Sequence, residues 1–151
     1  MNIANLLSWY FRHSSRRYAR FDDDLGAARL PEPSGDRQYL MYLHIPFCEV
    51  LCPFCSFHRV EFRENKATQY FRALRREIEL VGDAGFTFSE LYVGGGTPTV
   101  MPEELIATIS LVRKLHPVTS ISVETNPDDL ENEKVLDLRN SGVNRLSVGV
   151  Q

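Results

Sequence analysis

The 151-residue chain has only three cysteines, Cys48, Cys52 and Cys55, and none lies outside that one short stretch. An odd, clustered set cannot pair fully as disulfides, so a disulfide framework is excluded and a metal centre in a reducing compartment is the expectation. A cytoplasmic location follows as the default. No apolar run approaches the ~20 residues that a bilayer-spanning helix needs, and the N-terminus lacks the charged, apolar, small-residue order of a secretory signal. The chain therefore reads as soluble, with no membrane span. An excess of charge of one sign is also missing: the net charge is −3, which gives no argument for a nucleic-acid partner or a basic membrane-binding surface. What remains, 43% hydrophobic and 25% charged residues over the length of one domain, is enough for a packed core.

Two regions differ in texture. Residues 1–38 read as an N-terminal extension and linker: a short helix over 2–9, then Arg12, Arg16, Arg17 and Arg20 interleaved with Tyr10, Phe11, Tyr18 and Phe21, offset at once by Asp22, Asp23 and Asp24. Pro31, Pro33 and Gly35 then mark a linker. Residues 39–151 alternate strand and helix patterns. An apolar run over 39–45 predicts a strand covered on both faces. Ala67, Tyr70, Phe71, Leu74, Ile78 and Val81 recur at helical spacing, with Asn65 as N-cap and Gly82 as stop. A second strand is expected over 86–93 and a second helix over 102–115, opened by Pro102, Glu103 and Glu104. A third strand over 120–125 leads to a helix closed by Gly142, and a fourth strand begins at 144. Such alternation predicts βαβ units in a parallel sheet, with the chemistry at the C-terminal strand ends. A buried-type strand running to Gln151 with no helix behind it predicts an interrupted protein with an open, aggregation-prone edge.

Three features fall at those strand ends. The cysteines follow the first strand as C-x3-C-x2-C, a spacing at which three thiolates can converge on one centre; soft sulfur donors suit an iron–sulfur cluster or zinc. Three thiolates on a [4Fe–4S] cluster leave one iron without a protein ligand. The alternative is a structural Cys3His zinc module completed by His58 or His44, binding a protein partner through the aromatic arm. Gly94, Gly95 and Gly96 follow the second strand; they allow close approach of a ligand and expose N–H groups to a carboxylate or phosphate. They lack the Gly-Lys-Ser/Thr of a P-loop. Glu124, late in the third strand, can accept hydrogen bonds from an amine or hydroxyls, and Gln151 ends the fourth. His13 and His116 read as surface residues, the latter beside a helix C-terminus where a cation is favoured.

With these residues in hand, the chain resembles the radical S-adenosylmethionine (SAM) enzymes, in the branch of oxygen-independent coproporphyrinogen III oxidase and its haem-chaperone-like relatives. Four segments carry the resemblance: Tyr42-Leu43-His44-Ile45-Pro46-Phe47-Cys48 with the other cysteines, Gly94-Gly95-Gly96-Thr97-Pro98-Thr99, Glu124-Thr125-Asn126-Pro127, and the stretch from Gly142 to Gln151. It implies an α/β fold, a parallel (β/α) partial barrel of radical SAM type with about half the barrel present. It implies Cys48, Cys52 and Cys55 on a [4Fe–4S] cluster with SAM on the free iron, Tyr42 and Phe54 bordering both, Gly95, Gly96 and Thr97 along the methionine moiety, and Glu124 and Gln151 as further SAM contacts. One-electron cleavage of SAM would give a 5′-deoxyadenosyl radical, with a tetrapyrrole or haem ligand and a one-electron reductant protein as partners. No residue of this chain is assigned a catalytic role of its own. Where the oxidases proper carry a further cysteine, this chain has Phe57, which resembles the haem-chaperone branch and sets a chaperone without oxidase activity, or an inactive fragment, beside the oxidase reading.

Overall fold

A computed structural model describes residues 30–150, together with Leu6, Trp9, Tyr10, His13 and Ser14. The chain divides into two compact units, Met1–Pro31 and Glu32–Gln151. Within the first, Trp9 and His13 stack with ring centroids 5.4 Å apart, as residues four apart on a helix do. The arginines, acidic triplet and remaining aromatics of the expected arm lie outside the described residues.

The second unit runs β1 (Tyr39–Ile45), β2 (Phe47–Cys48), β3 (Val60–Glu61), α1 (Glu64–Asp83), β4 (Phe88–Gly95), α2 (Pro102–Leu115), β5 (Ser120–Thr125), α3 (Asn132–Ser141) and β6 (Arg145–Val148). Short 3-10 turns at Pro98–Val100 and Pro127–Asp129 follow β4 and β5. The main sheet has the order β1-β4-β5-β6 and every pairing in it is parallel. This is the parallel α/β architecture that the strand–helix alternation predicts.

The strand order advances in one direction without reversal, so right-handed crossovers all fall on the same side of the sheet. α1 packs on α2 and α2 on α3, forming one helical layer. Met41, Leu43 and Ile45 of β1, Leu91 and Val93 of β4, and Ile121 and Val123 of β5 point into that layer. There they meet Phe71, Leu74 and Ile78 of α1 and Leu105, Ile109 and Val112 of α2. Arg75 ties the two helices together, its Nη1 donating to Glu104 Oε2 at 2.6 Å and to Thr108 Oγ1 at 3.2 Å.

The period of two sends alternate residues to the other face. Leu40 and Tyr42 are 54% and 53% exposed there, so among the described residues β1 is covered by helices on one face only, against the expectation of two. Boundaries also move. β4 runs on through Gly94 and Gly95 because their backbones pair with His44 and Ile45. Helix α1 starts at Glu64 after an N-cap Arg63 that makes no side-chain cap, and it contains Gly82 instead of stopping there. Gly142 does close α3, at φ +106.

His116 is the clearest departure. It is 4% exposed, its ring meets the edge of Phe88 at 4.9 Å, and neither ring nitrogen has a hydrogen-bond partner. The backbone turns inward after α2, so a residue that reads as a surface cation is an aromatic filler of the core. Desolvation lowers its pKa. A histidine kept neutral by the fold takes up its proton more readily when unfolded, so stability falls as pH drops below about 6.5 and continues to fall until the lower folded-state pKa is passed. Denaturant unfolding between pH 7.5 and pH 5 should show this acid-side loss, with a slope approaching about 1.4 kcal/mol per pH unit. His116→Phe should remove that component of the slope.

Candidate functional site

The site grows from the end of β1. After Pro46 the chain pairs again, as β2, with β3, so the cysteine loop leaves and returns on one short parallel ladder. Val60 N–H donates to Pro46 O at 2.7 Å and Phe62 N–H to Cys48 O at 2.8 Å, which pins both ends of the loop. Within it, Cys55 N–H turns back to Cys52 O at 3.2 Å. Arg59 reaches across the loop, its Nη2 donating to the carbonyls of Cys52 and Cys55. Hydrogen bonding from Arg59 also lowers the pKa of the Cys55 thiol and so favours thiolate, the form that binds metals.

The glycine loop is pressed against this stretch. Gly96 N–H donates to Ile45 O and Thr97 N–H to Phe47 O, both at 2.7 Å, and Gly95 N–H donates to Glu124 Oε2 at 3.1 Å. The amides expected to face a ligand's anion are therefore spent within the protein. The glycines serve close approach instead: a Cβ on Gly96 would lie 2.6 Å from Phe47 O and 2.9 Å from Cys48 Sγ. Glu124, half-buried on the face away from the helices, accepts from Gly95 and from the Tyr92 hydroxyl at 2.7 Å. That bond raises the pKa of the Tyr92 phenol, whose proton is shared with the carboxylate.

These pieces enclose a cleft of about 380 Å³. Its wall includes Cys48, Cys52, Cys55, Phe54, Gly95, Gly96, Thr97 and Glu124, so eight of the residues singled out from the sequence share one cavity. Tyr42 is not in that wall. It stacks on Tyr92 at 6.0 Å, one ring removed from Glu124. Gln151 lies outside the described residues. Residues that sequence reasoning left without a role also face the cleft: Arg59 and Asn126. Asn126 stands in one of the segments that carried the resemblance, and Arg59 is a cation four places after the last cysteine; Tyr92, which holds Glu124, occupies an alternate position of its strand, and pattern alone does not say which side chain it meets.

All three cysteines are free. Among the described residues, no group of three or more His, Cys, Asp or Glu side chains is assembled that could hold a metal ion. His44 is engaged at both ring nitrogens, Nδ1 with the Tyr42 hydroxyl at 3.2 Å and Nε2 with His58 O at 3.1 Å, and neither histidine lines the cleft. Among the described residues, neither His44 nor His58 is thus gathered with the three thiols. The three thiols do share one cavity wall, and soft sulfur donors of this kind suit an iron–sulfur cluster or zinc.

The architecture defines a parallel α/β half-barrel with a thiol-lined cleft at its C-terminal strand ends. The model of the radical SAM superfamily matches residues 42–151, and the chain belongs to that superfamily. It is 40% identical to the heme chaperone HemW of Bacillus subtilis, over 73% of this chain and 31% of that protein. It is 36% identical to the oxygen-independent coproporphyrinogen III oxidase of Escherichia coli, over 93% of this chain and 34% of that one. A solved structure of coproporphyrinogen III oxidase (HemN) from Escherichia coli superposes with a TM-score of 0.67 at 38% identity, covering 82% of this chain and 29% of that one. The chain thus spans about a third of the length of these relatives.

The Gly96 contacts give a direct test. Gly96→Ala drives a methyl group into a backbone carbonyl and a buried sulfur, neither of which can swing aside. It should cost about 2–3 kcal/mol in denaturant unfolding, whereas Gly35→Ala, with nothing within 4 Å of the added methyl, should leave the midpoint unchanged.

Proposed function

We propose that this chain holds a [4Fe–4S] cluster on Cys48, Cys52 and Cys55 and binds SAM beside it, as part of a radical SAM protein of porphyrin or haem metabolism. The observation that carries the reading is the gathering of three unpaired thiols, the glycine loop and Glu124 around one cleft. When bound, the reduced cluster supplies the electron that cleaves SAM to methionine and a 5′-deoxyadenosyl radical. The chain's own part is position and shelter. Glu124, which accepts from two donors, offers its remaining lone pairs to the cationic amine of the methionine moiety. Gly95, Gly96 and Thr97 bring that moiety close, Phe54 covers it, and Tyr42 and Gln151 complete the surroundings. A one-electron reductant protein feeds the cluster, and a tetrapyrrole is the ligand served.

Between the two named relatives, Phe57 favours the haem-chaperone side. It stands where the resembling oxidases carry another cysteine, it is 74% exposed, and it lines the cleft as an apolar wall. Residues 1–38 are read as an extension to this core.

Anaerobic reconstitution with iron and sulfide tests the proposal. The wild-type chain should take up about four irons and turn brown. Cys48→Ser, Cys52→Ser and Cys55→Ser should each lose most of that iron while keeping the wild-type circular dichroism. A colourless, iron-free product that binds zinc instead would overturn it.

A further inference from the structure

Thr97 is assigned by resemblance to the methionine moiety of SAM, yet its hydroxyl is already engaged. Thr97 and Cys48 are both buried, and Thr97 Oγ1 lies 3.7 Å from Cys48 Sγ. On its other side Asn126 Nδ2 donates to the same oxygen at 3.0 Å. An amide N–H only donates, so Thr97 accepts from Asn126, and its own proton is left to point at the sulfur. Backbone contacts fix both ends of this relay: Thr97 N–H is held by Phe47 O, and Asp129 N–H is held by Asn126 O at 3.1 Å.

We propose that Thr97, aimed by Asn126, is a positioning residue that donates a hydrogen bond to the Cys48 thiolate and thereby raises the reduction potential of the metal centre. The inference rests on the cluster reading above. A ligating thiolate carries lone pairs and no proton, so it can only accept, and hydrogen bonds to cysteine sulfur are one of the means by which a protein sets a cluster's potential. The donor is also matched to its place. Cys48 is the buried member of the three cysteines, which limits the water available as an alternative partner. The relay crosses three segments, the loop after β5, the loop after β4 and the end of β2, so it exists only in the folded chain.

Thr97→Val keeps the shape and removes the hydroxyl, Thr97→Ser keeps the hydroxyl, and Asn126→Ala removes only the aiming group. After anaerobic reconstitution, Thr97→Val should load iron as the wild type does but show a more negative midpoint potential. Thr97→Ser should return to the wild-type potential, and Asn126→Ala should fall between. A Thr97→Val protein with full iron and an unchanged potential would overturn the proposal, as would a Thr97→Ser protein shifted as far as Thr97→Val. The metal-free wild-type protein gives an independent reading by NMR. There the side-chain amide protons of half-buried Asn126 should exchange about tenfold more slowly than those of exposed Asn140, the factor expected of one ordinary hydrogen bond; equal rates would refute the relay. Should the wild type assemble no cluster at all, the cluster reading fails while the amide exchange still decides the Asn126–Thr97 step that aims the hydroxyl.

Discussion

Two backbone hydrogen bonds join the parts of this site: Gly96 N–H to Ile45 O and Thr97 N–H to Phe47 O. They extend the β1–β4 ladder beyond the sheet proper and press the glycine loop onto the chain that enters the cysteine loop. The placing of the glycine loop in the cleft follows from that contact. Only a residue without Cβ permits it, since a methyl at 96 would sit within hydrogen-bonding distance of a carbonyl that is already bonded. Once made, it sets Thr97 beside the Cys48 sulfur, and Gly95 N–H against Glu124.

The one-directional strand order has the second large consequence. With α1, α2 and α3 on one side, the sheet separates a dry layer of Ile, Leu, Val and Phe from a face that carries Tyr42, His44, Tyr92 and Glu124. The first supplies stability, by removing apolar area from water. The second leaves polar side chains free to bond with one another: Tyr92 to Glu124, Tyr42 to His44, His44 to the backbone at His58. The helix-covered side and the side that carries the candidate chemistry are thus made from alternate residues of the same strands.

Much of the site was legible before the fold was known, because its residue types are unusual and their offsets from the strand patterns are short. Three thiols in eight positions, three consecutive glycines and an acid at a strand end can be assigned to one sheet end from connectivity alone. What was misread has a common cause. The glycine-loop amides, the covering of β1 and the place of His116 all depend on what lies across from a residue, and a periodic pattern records only what precedes and follows it. His116 after a helix has the same local sequence whether the chain then turns toward water or toward Phe88.

The sequence alone therefore determined the order of strands and helices, the parallel sheet and the three elements of the site, because those follow from periodicity, chirality and local chemistry. It also carried the membership of the superfamily, through motifs that stand in line along the chain. Tertiary structure decided which groups are already used. Gly96 N–H is bound to a carbonyl and Gly95 N–H to Glu124, both oxygens of Glu124 accept hydrogen bonds, and the Thr97 hydroxyl lies between Asn126 and Cys48. A hydrogen bond between residues 29 or 49 positions apart is set by how strands and loops pack, and nothing in the intervening residues encodes its direction.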